Sequence, residues 1–351
     1  VEEGRHALAL LSAARFDHPA KKLVMIGVTG TKGKTTTTHM IRAILLAAGK
    51  KVGMIGTTGT VIGYVVTPTL NTTPESYELH QAFAQMVEAG CEYAVMEVSS
   101  QGIKMHRTDG LYFNYAIFTN ISPDHIGPGE HADFEEYLYY KTRLLNMCGI
   151  GLVNKDDEHA PQIIKAANCE LYTYSEESKE ADFVASDIRY VSQPDFVGTE
   201  FHISGKYDME VRLGIPGLFN VVNALAAVSV CSFLGLDQAR ISHALENIRV
   251  NGRMEIVYTS ERCTVLVDYA HNAVSMESLL STLRDYKPKR LVCVFGCGGN
   301  RSKDRRYSMG EIGGKMADLS IITADNSRYE KVEDIIADIR GSCLLYTSDA
   351  A

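Results

Sequence analysis

Apolar residues recur along this chain in two alternating rhythms. Leu23-Val24-Met25-Ile26-Gly27-Val28 is a continuous apolar run of strand length. A glycine-rich turn follows, and then Thr37 to Ala48, whose apolar residues fall at helical spacing. Lys51–Ile55, Tyr93–Val98 and Tyr115–Thr119 read as further strands, and Ser76–Ala89 as a helix with Leu79, Ala82, Phe83, Met86 and Val87 on its apolar face. Strands alternating with helices up to about Asn154 predict an α/β fold whose mostly parallel sheet carries helices on both faces. Such sheets bind ligands beyond the carboxyl ends of their strands. The rhythm changes over residues 152–213. There Phe183–Tyr190 and Gly198–Ile203 read as strands of a small antiparallel layer. Pro216-Gly217-Leu218-Phe219-Asn220 then opens a helix, Val221 to Leu234. A second α/β unit starts near Gly252, with strands at Thr264–Asp268, Arg290–Phe295 and Leu319–Thr323.

Composition narrows the class. A length of 351 residues suggests two or three domains. The net charge of −8 gives no global attraction to nucleic acid or to an anionic membrane. No apolar run approaches the roughly 20 residues of a membrane span. The eight cysteines are scattered without a CxxC, which fits a reducing cytoplasm. Cys293 and Cys297 flank a strand end, and read as isolated thiols or as half of a zinc site. The chain opens on Val1, and its first helix-like segment runs into Lys21 without a core of its own, so it reads as a fragment lacking an N-terminal region. Cys343 to Ala351 likewise stops without a clear domain finish.

The candidate chemistry centres on Gly30-Thr31-Lys32-Gly33-Lys34-Thr35-Thr36. Strand, glycine turn and helix together form a nucleotide-phosphate site, in which turn amides and a helix N-terminus attract phosphate oxygens. Lys34 adds a charge for the outer phosphates, and the Thr35 hydroxyl can bind Mg²⁺. Val28 stands where the common loop has glycine, and Gly30 is an extra glycine inside the turn. Glu97 ends a strand beside this loop, and is either a Mg²⁺ ligand through oxygen or a solvated carboxylate. Asp124 and His125, in Asn120-Ile121-Ser122-Pro123-Asp124-His125, are metal ligands or a helix cap. Lys141 lies on the helical stretch Phe134–Leu145, where nothing in the residue pattern singles it out. In the second unit, Asp268 and His271 end a strand, Arg253 supplies a fixed cation suited to phosphate or carboxylate, and Asp325-Asn326-Ser327-Arg328 has turn composition. Gly296-Cys297-Gly298-Gly299-Asn300-Arg301 is a glycine turn, but not G-x-G-x-x-G.

Together these motifs resemble the Mur ligases of peptidoglycan synthesis, most closely the MurE branch. The similarity covers about Val1 to Arg340. It is carried by Thr29–Thr36, Asn71-Thr72-Thr73-Pro74, Met96-Glu97-Val98-Ser99-Ser100-Gln101-Gly102, Thr119–His125, Gly217–Asn223, Gly252-Arg253-Met254-Glu255, Asp268–His271 and Phe295–Arg301. The resemblance implies residues 1–22 as the remnant of a uridine-binding domain and linker, and 23–248 as a central ATP-binding domain. It implies 249–340 as a truncated Rossmann-like ligase domain, with 341–351 as a foreign tail. ATP would meet Gly30, Thr31, Lys32, Gly33, Lys34, Thr35, Thr36, Asn220, Asn223, Asp268 and His271. Thr35 and Glu97 would hold one Mg²⁺. His125 and Lys141 would hold a second, Lys141 as the N6-carboxylated (carbamylated) residue. Arg253 would contact the transferred phosphate. Asn71, Thr72, Thr73, Ser99 and Arg107 would bind UDP-MurNAc-L-Ala-D-Glu. Asp325, Asn326 and Arg328 would select meso-diaminopimelate, although Ser327 replaces the usual proline. The implied protein is a cytoplasmic, monomeric, ATP-dependent amide ligase acting through an acyl phosphate, with a hinge near Ile248–Asn251. A lysine-adding ligase, another Mur step, a folylpolyglutamate synthase and a nucleotide-binding fragment without turnover remain as alternatives.

Overall fold

The computed structural model describes residues 3–127, 129–193 and 196–343. These divide into two compact units, one running to Arg189 and resuming over Thr199–Val250, the other made of Tyr190–Gly198 and the chain from Asn251 onward. The segment 344–351, most of the expected foreign tail, lies outside the described residues. Among the described residues, no helix is long and apolar enough to cross a membrane.

The first unit is built on one eleven-stranded sheet. Its strands are β1 (Val24–Thr29), β2 (Val52–Gly56), β3 (Gly59–Ile62), β4 (Val65–Thr67), β5 (Tyr93–Glu97), β6 (Phe113–Phe118), β7 (Cys148–Asn154), β8 (Glu170–Ser175), β9 (Phe183–Gln193), β10 (Phe196–Gly205) and β11 (Met209–Leu213). Their order is β11-β10-β9-β8-β7-β6-β1-β5-β2-β3-β4. From β2 through β5, β1, β6, β7 and β8 to β9, neighbours pair in parallel. The apolar runs are continuous because these strands are covered on both faces; five of the six residues of β1 are buried.

The helices of this unit are α1 (Gly4–Arg15), α2 (Lys34–Ala47), α3 (Ser76–Glu88), α4 (Ser100–Lys104), α5 (Phe134–Thr142), α6 (Ala160–Ala166), α7 (Leu218–Phe233) and α8 (Gln238–Glu246). Met25, Ile55, Met96, Ala116 and Phe118 of the sheet join one core with Leu79, Phe83 and Met86 of α3, Ile103 of α4, Tyr137 and Leu138 of α5 and Ile163 of α6. Strand side chains alternate faces, so the buried Ile26, Val28, Val95 and Ile117 point the other way. On that side α2 packs against α7 and α8. The opening segment does have a core to join: α1 packs on α3, and Ala9, Ser12 and Ala13 are buried.

Two expectations change. The antiparallel strands are not a separate layer. Residues 148–175 continue the parallel sheet through β7 and β8 to β9, and β10, next to β9, pairs antiparallel with β11 at its edge. The opposite edge carries a second antiparallel ribbon, β2-β3-β4. In the second unit, β12 (Glu255–Thr259) pairs antiparallel with β13 (Thr264–Val267), while β14 (Val292–Phe295) pairs in parallel with β15 (Leu319–Ile322). The three expected strands of this unit are present, and the sequence reading missed β12, whose pairing draws β13 into a hairpin. Helices α9 (Ala273–Asp285), α10 (Lys303–Met316) and α11 (Val332–Ser342) supply Met276, Leu280, Met309, Ile335 and Ile339 to this unit's core.

Candidate functional site

The phosphate-type loop leaves β1 at Thr29 and enters α2 at Lys34, between the carboxyl ends of β5 and β6. Gly30 and Gly33 both have positive φ, +146° and +84°. A Cβ on Gly30 would overlap the Thr119 hydroxyl, and one on Gly33 would overlap the Asn223 amide oxygen. Both glycines are therefore required by backbone conformation and by space. The loop is braced from the end of β6. Thr119 Oγ1 donates to Lys32 O at 2.7 Å, Asn120 Oδ1 accepts from Lys32 N at 2.9 Å, and Thr31 N donates to Asn120 O at 2.9 Å. These two residues were visible in the sequence only as a strand end. Their bracing role needed the β1–β6 register.

Two lysines converge on one carbonyl. Lys34 Nζ donates to Gly30 O at 2.8 Å, and Lys141 Nζ donates to the same oxygen at 2.7 Å. Lys141 is 2% exposed, sits 4.6 Å from the Tyr137 ring centre, and makes no ion pair with a carboxylate among the described residues. Burial drives its amine well below the ordinary lysine range, the Lys34 charge adds to that shift, and Asp124 opposes it. Tyr137 Oη lies 3.1 Å from Thr31 Oγ1, so the aromatic residue joins α5 to the loop. Burial raises the Tyr137 phenol above the usual range.

On the other side of the loop, Glu97 at the end of β5 is 1% exposed. Thr35 Oγ1 lies 3.0 and 3.1 Å from its two carboxylate oxygens, and Thr57 donates through its backbone N–H at 2.9 Å and its hydroxyl at 3.2 Å. A carboxylate and a hydroxyl aimed at one another are hard oxygen donors, the ligand class of Mg²⁺, so this pair fits the expected ion. Thr57 went unnoticed in the sequence. Thr72 Oγ1 contacts Thr57 Oγ1 at 3.1 Å, and Thr73 Oγ1 donates to Glu97 O at 3.0 Å while accepting from Ser99 N at 2.9 Å. Ser99 Oγ caps α4 through Gly102 N, and Arg107 donates to Thr73 O at 3.0 Å. Asn71 is half-buried beside these residues in sequence.

His125 has φ +52° and is about half exposed, with Nδ1 2.9 Å from Glu130 Oε1. Its ring centre is 6.2 Å from that of Tyr137, the residue that also carries Lys141 on its face. The structure thus gives His125 and Lys141 a common neighbour rather than a direct contact. Thr36 is buried in the first turn of α2, and Lys32 is exposed. Asn223 faces α2 through Thr37 Oγ1 at 3.3 Å, and its Nδ2 donates to Asn220 Oδ1, whose own amide donates to Pro216 O at 2.7 Å.

In the second unit Asp268 ties its surroundings together. One carboxylate oxygen accepts from Met254 N and the other from Ala270 N, both at 2.8 Å. Arg253 stacks 4.6 Å over the Tyr269 ring, and His271 contacts the same ring and the Tyr269 carbonyl. Asp325, Asn326 and Arg328 form an exposed turn, with Arg328 at φ +49° and its N–H donating to Asn326 Oδ1 at 3.3 Å. The Asn326 carbonyl accepts from Gly299 N at 2.8 Å, so this turn rests on the glycine turn after β14. Cys297 is buried against Met309, and neither it nor Cys293 joins a metal-ligand cluster among the described residues.

The chain matches the profile of the Mur ligase middle domain over residues 28–231, and that of the Mur ligase glutamate ligase domain over 252–351. It is 39% identical over 345 residues to the UDP-N-acetylmuramoyl-L-alanyl-D-glutamate–2,6-diaminopimelate ligase of Caldanaerobacter subterraneus subsp. tengcongensis, covering 97% of this chain and 69% of that protein. The Clostridium perfringens enzyme of the same name is 39% identical over 347 residues, covering 97% and 70%. A solved structure of such a ligase superposes with a TM-score of 0.73 at 32% identity, over 93% of this chain and 67% of that one. Folylpolyglutamate synthase from Thermotoga maritima superposes at 0.77 with 16% identity, over 96% and 84%, a likeness of fold.

Proposed function

Because this chain belongs to the Mur ligase family, we propose that it joins 2,6-diaminopimelate to UDP-MurNAc-L-Ala-D-Glu at the expense of ATP. The observation that carries the reading is the convergence of the phosphate loop, the Glu97–Thr35 pair and the buried Lys141 at the adjacent ends of β5, β1 and β6.

In this reading the loop amides and Lys34 hold the outer phosphates of ATP. Thr35 and Glu97 would hold one Mg²⁺, and His125 with Lys141 a second. Bound there, the ions offset charge on the phosphoryl group in transfer. The D-Glu side-chain carboxylate attacks the γ-phosphorus, the bond to the β-phosphate oxygen breaks, and ADP leaves. The amine of diaminopimelate then attacks the acyl carbon, phosphate departs, and the amine proton passes to solvent. Thr72, Thr73, Ser99 and Arg107 would position the muramoyl dipeptide, with Asn71 beside them. Asn220, Asn223, Asp268 and His271 would border the nucleotide, and Arg253 would reach the transferred phosphate.

A buried lysine without an anionic partner is a costly arrangement. Addition of CO₂ to the neutral Nζ amine, with one proton released to solvent, would place a carboxylate anion beside Lys34 and would give the second ion an oxygen ligand. For the amino acid, Arg328 offers a guanidinium fork to the distal carboxylate that distinguishes diaminopimelate from lysine. Phosphate release measured with diaminopimelate, lysine and glutamate tests the proposal. Release that needs both the muramoyl dipeptide and diaminopimelate is expected. Substrate-dependent release from a Lys34→Ala protein would sink the assignment.

A further inference from the structure

We propose that His6, His106 and Asp109 form a binding site for one borderline-soft dication of the zinc, cobalt or nickel type. The residues come from two places. His6 lies on α1, and His106 and Asp109 lie in the turn after α4. Both imidazoles present Nδ1 to the same oxygen, Asp109 Oδ2, at 2.5 Å from His6 and 2.8 Å from His106. Among the described residues this is the one place where three His, Cys, Asp or Glu ligand atoms lie within 4.8 Å of one another. As hydrogen bonds alone, the arrangement requires both rings to carry hydrogen on Nδ1 and one oxygen to accept both. A dication would instead take a lone pair from each of the three atoms.

The donor set decides which cation. Two imidazole nitrogens and one carboxylate oxygen suit Zn²⁺ and its neighbours better than Mg²⁺ or Ca²⁺, which prefer oxygen alone. Bonds of about 2.0–2.2 Å would need the three atoms to spread modestly, a change side-chain rotation supplies. The surroundings also match. Glu3 Oε2 faces the outer nitrogen of His106, Nε2, at 3.5 Å. Metal-bound histidines commonly direct their second nitrogen at a carboxylate in this way. His106 holds φ +56°, a sparsely populated conformation for a side-chain-bearing residue. Arg5 Nε donates to Met105 O at 2.7 Å, which keeps α1 seated on the same turn. His6 is about half exposed, leaving an entry path and a water-accessible fourth position. The ion would clip α1 to the segment that carries Arg107, and so act on stability rather than on phosphoryl transfer.

The test is titration of the chelator-treated chain with Co²⁺ and Zn²⁺, with a non-thiol reductant protecting the eight cysteines. One tight Co²⁺ equivalent is expected, with visible d–d bands and no thiolate charge-transfer band. Zn²⁺ should raise the thermal midpoint, and Mg²⁺ should not do so through this site. His6→Ala and Asp109→Asn should each abolish the tight equivalent and the Zn²⁺-dependent shift, and Glu3→Gln should weaken affinity about 10- to 100-fold. Equal Co²⁺ affinity in the wild type and in a His6→Ala/Asp109→Asn double variant would overturn the proposal. So would a spectrum dominated by thiolate.

Discussion

Glu97 is held by hydroxyls and an amide, and its strand end brings it to Thr35 across 62 residues of chain. The sequence shows a carboxylate after an apolar run, but only the parallel β1–β5 register places Glu97 opposite Val28, two residues before Gly30. Glu97→Gln keeps an acceptor for Thr57 N and removes the charge. It should fold with a near-normal thermal midpoint and lose at least tenfold in Mg²⁺-dependent nucleotide affinity, measured by calorimetry with and without Mg²⁺. Lys141 was legible only through the family resemblance, because a lysine at the end of an amphipathic helix is ordinarily solvated. Its burial arises from tertiary packing of α5 beneath the loop. If it carries a carboxyl group, Lys141→Ala should lose more than 100-fold in turnover, and a short carboxylate such as acetate or propionate should restore part of it. Absence of rescue, with an intact mass that shows no added CO₂ under bicarbonate, would remove the modification from the mechanism.

Elements explain why pattern reading succeeded in the first unit. The strands β1, β2, β5 and β6 are short, mostly buried and each set off from the next by helix and turn, so their apolar runs are unambiguous. It failed at the edges, where alternating strands can pair as a separate layer or extend an existing sheet, and periodicity does not distinguish the two. Helix α3 supplies a test of burial in the well-read part. His80 on its inner face is 2% exposed, and neither ring nitrogen has a hydrogen-bond partner among the described residues. Burial lowers its pKa from 6.5 to about 4, with the His18 charge adding to the shift. Above pH 6.5 the ring is neutral in folded and unfolded chains and contributes no pH dependence. As pH falls from 6.5 toward 4 the unfolded chain takes up the proton first, so stability falls across that window, by at most about 3 kcal/mol. His80→Leu should flatten this part of the curve, as read from urea midpoints between pH 4 and 7. In the second unit, Arg306 of α10 is 1% exposed and pairs with Glu330 at 2.7 Å and with Asp338 of α11 at 2.8 Å. Removing the cation leaves two facing carboxylates and a cavity. Arg306→Ala should therefore lower the urea midpoint of that unit more than Arg306→Met, which refills the space.

At the scale of the molecule, the two units carry different parts of the proposed chemistry, and this makes their contributions separable in kinetics. The phosphate loop and the Glu97–Thr35 pair lie in the first unit, whereas the Asp325–Arg328 turn lies in the second. In the sequence the second set of strands after Gly252 suggested a further unit, and the turn itself looked like any polar connection. What distinguishes it is its seat on the glycine turn after β14. A Cβ on Gly299 would overlap the Ser327 carbonyl, so the two turns are packed backbone to backbone. Arg328 is exposed on this rigid support, free of the core. If its guanidinium forks onto the distal carboxylate of diaminopimelate, Arg328→Ala loses a charge-assisted bidentate contact of about 1.5–3 kcal/mol. That corresponds to a KM for diaminopimelate raised about 10- to 100-fold, with preference over lysine reduced by a similar factor. Nucleotide affinity should stay at the wild-type value, because the loop that binds phosphate is untouched. Lys34→Ala should show the reverse, with nucleotide affinity lost and the amino-acid turn intact. An Arg328→Ala enzyme that keeps full preference for diaminopimelate would place selectivity elsewhere, and one that loses ADP affinity as well would tie this turn to the nucleotide site rather than to the amino acid.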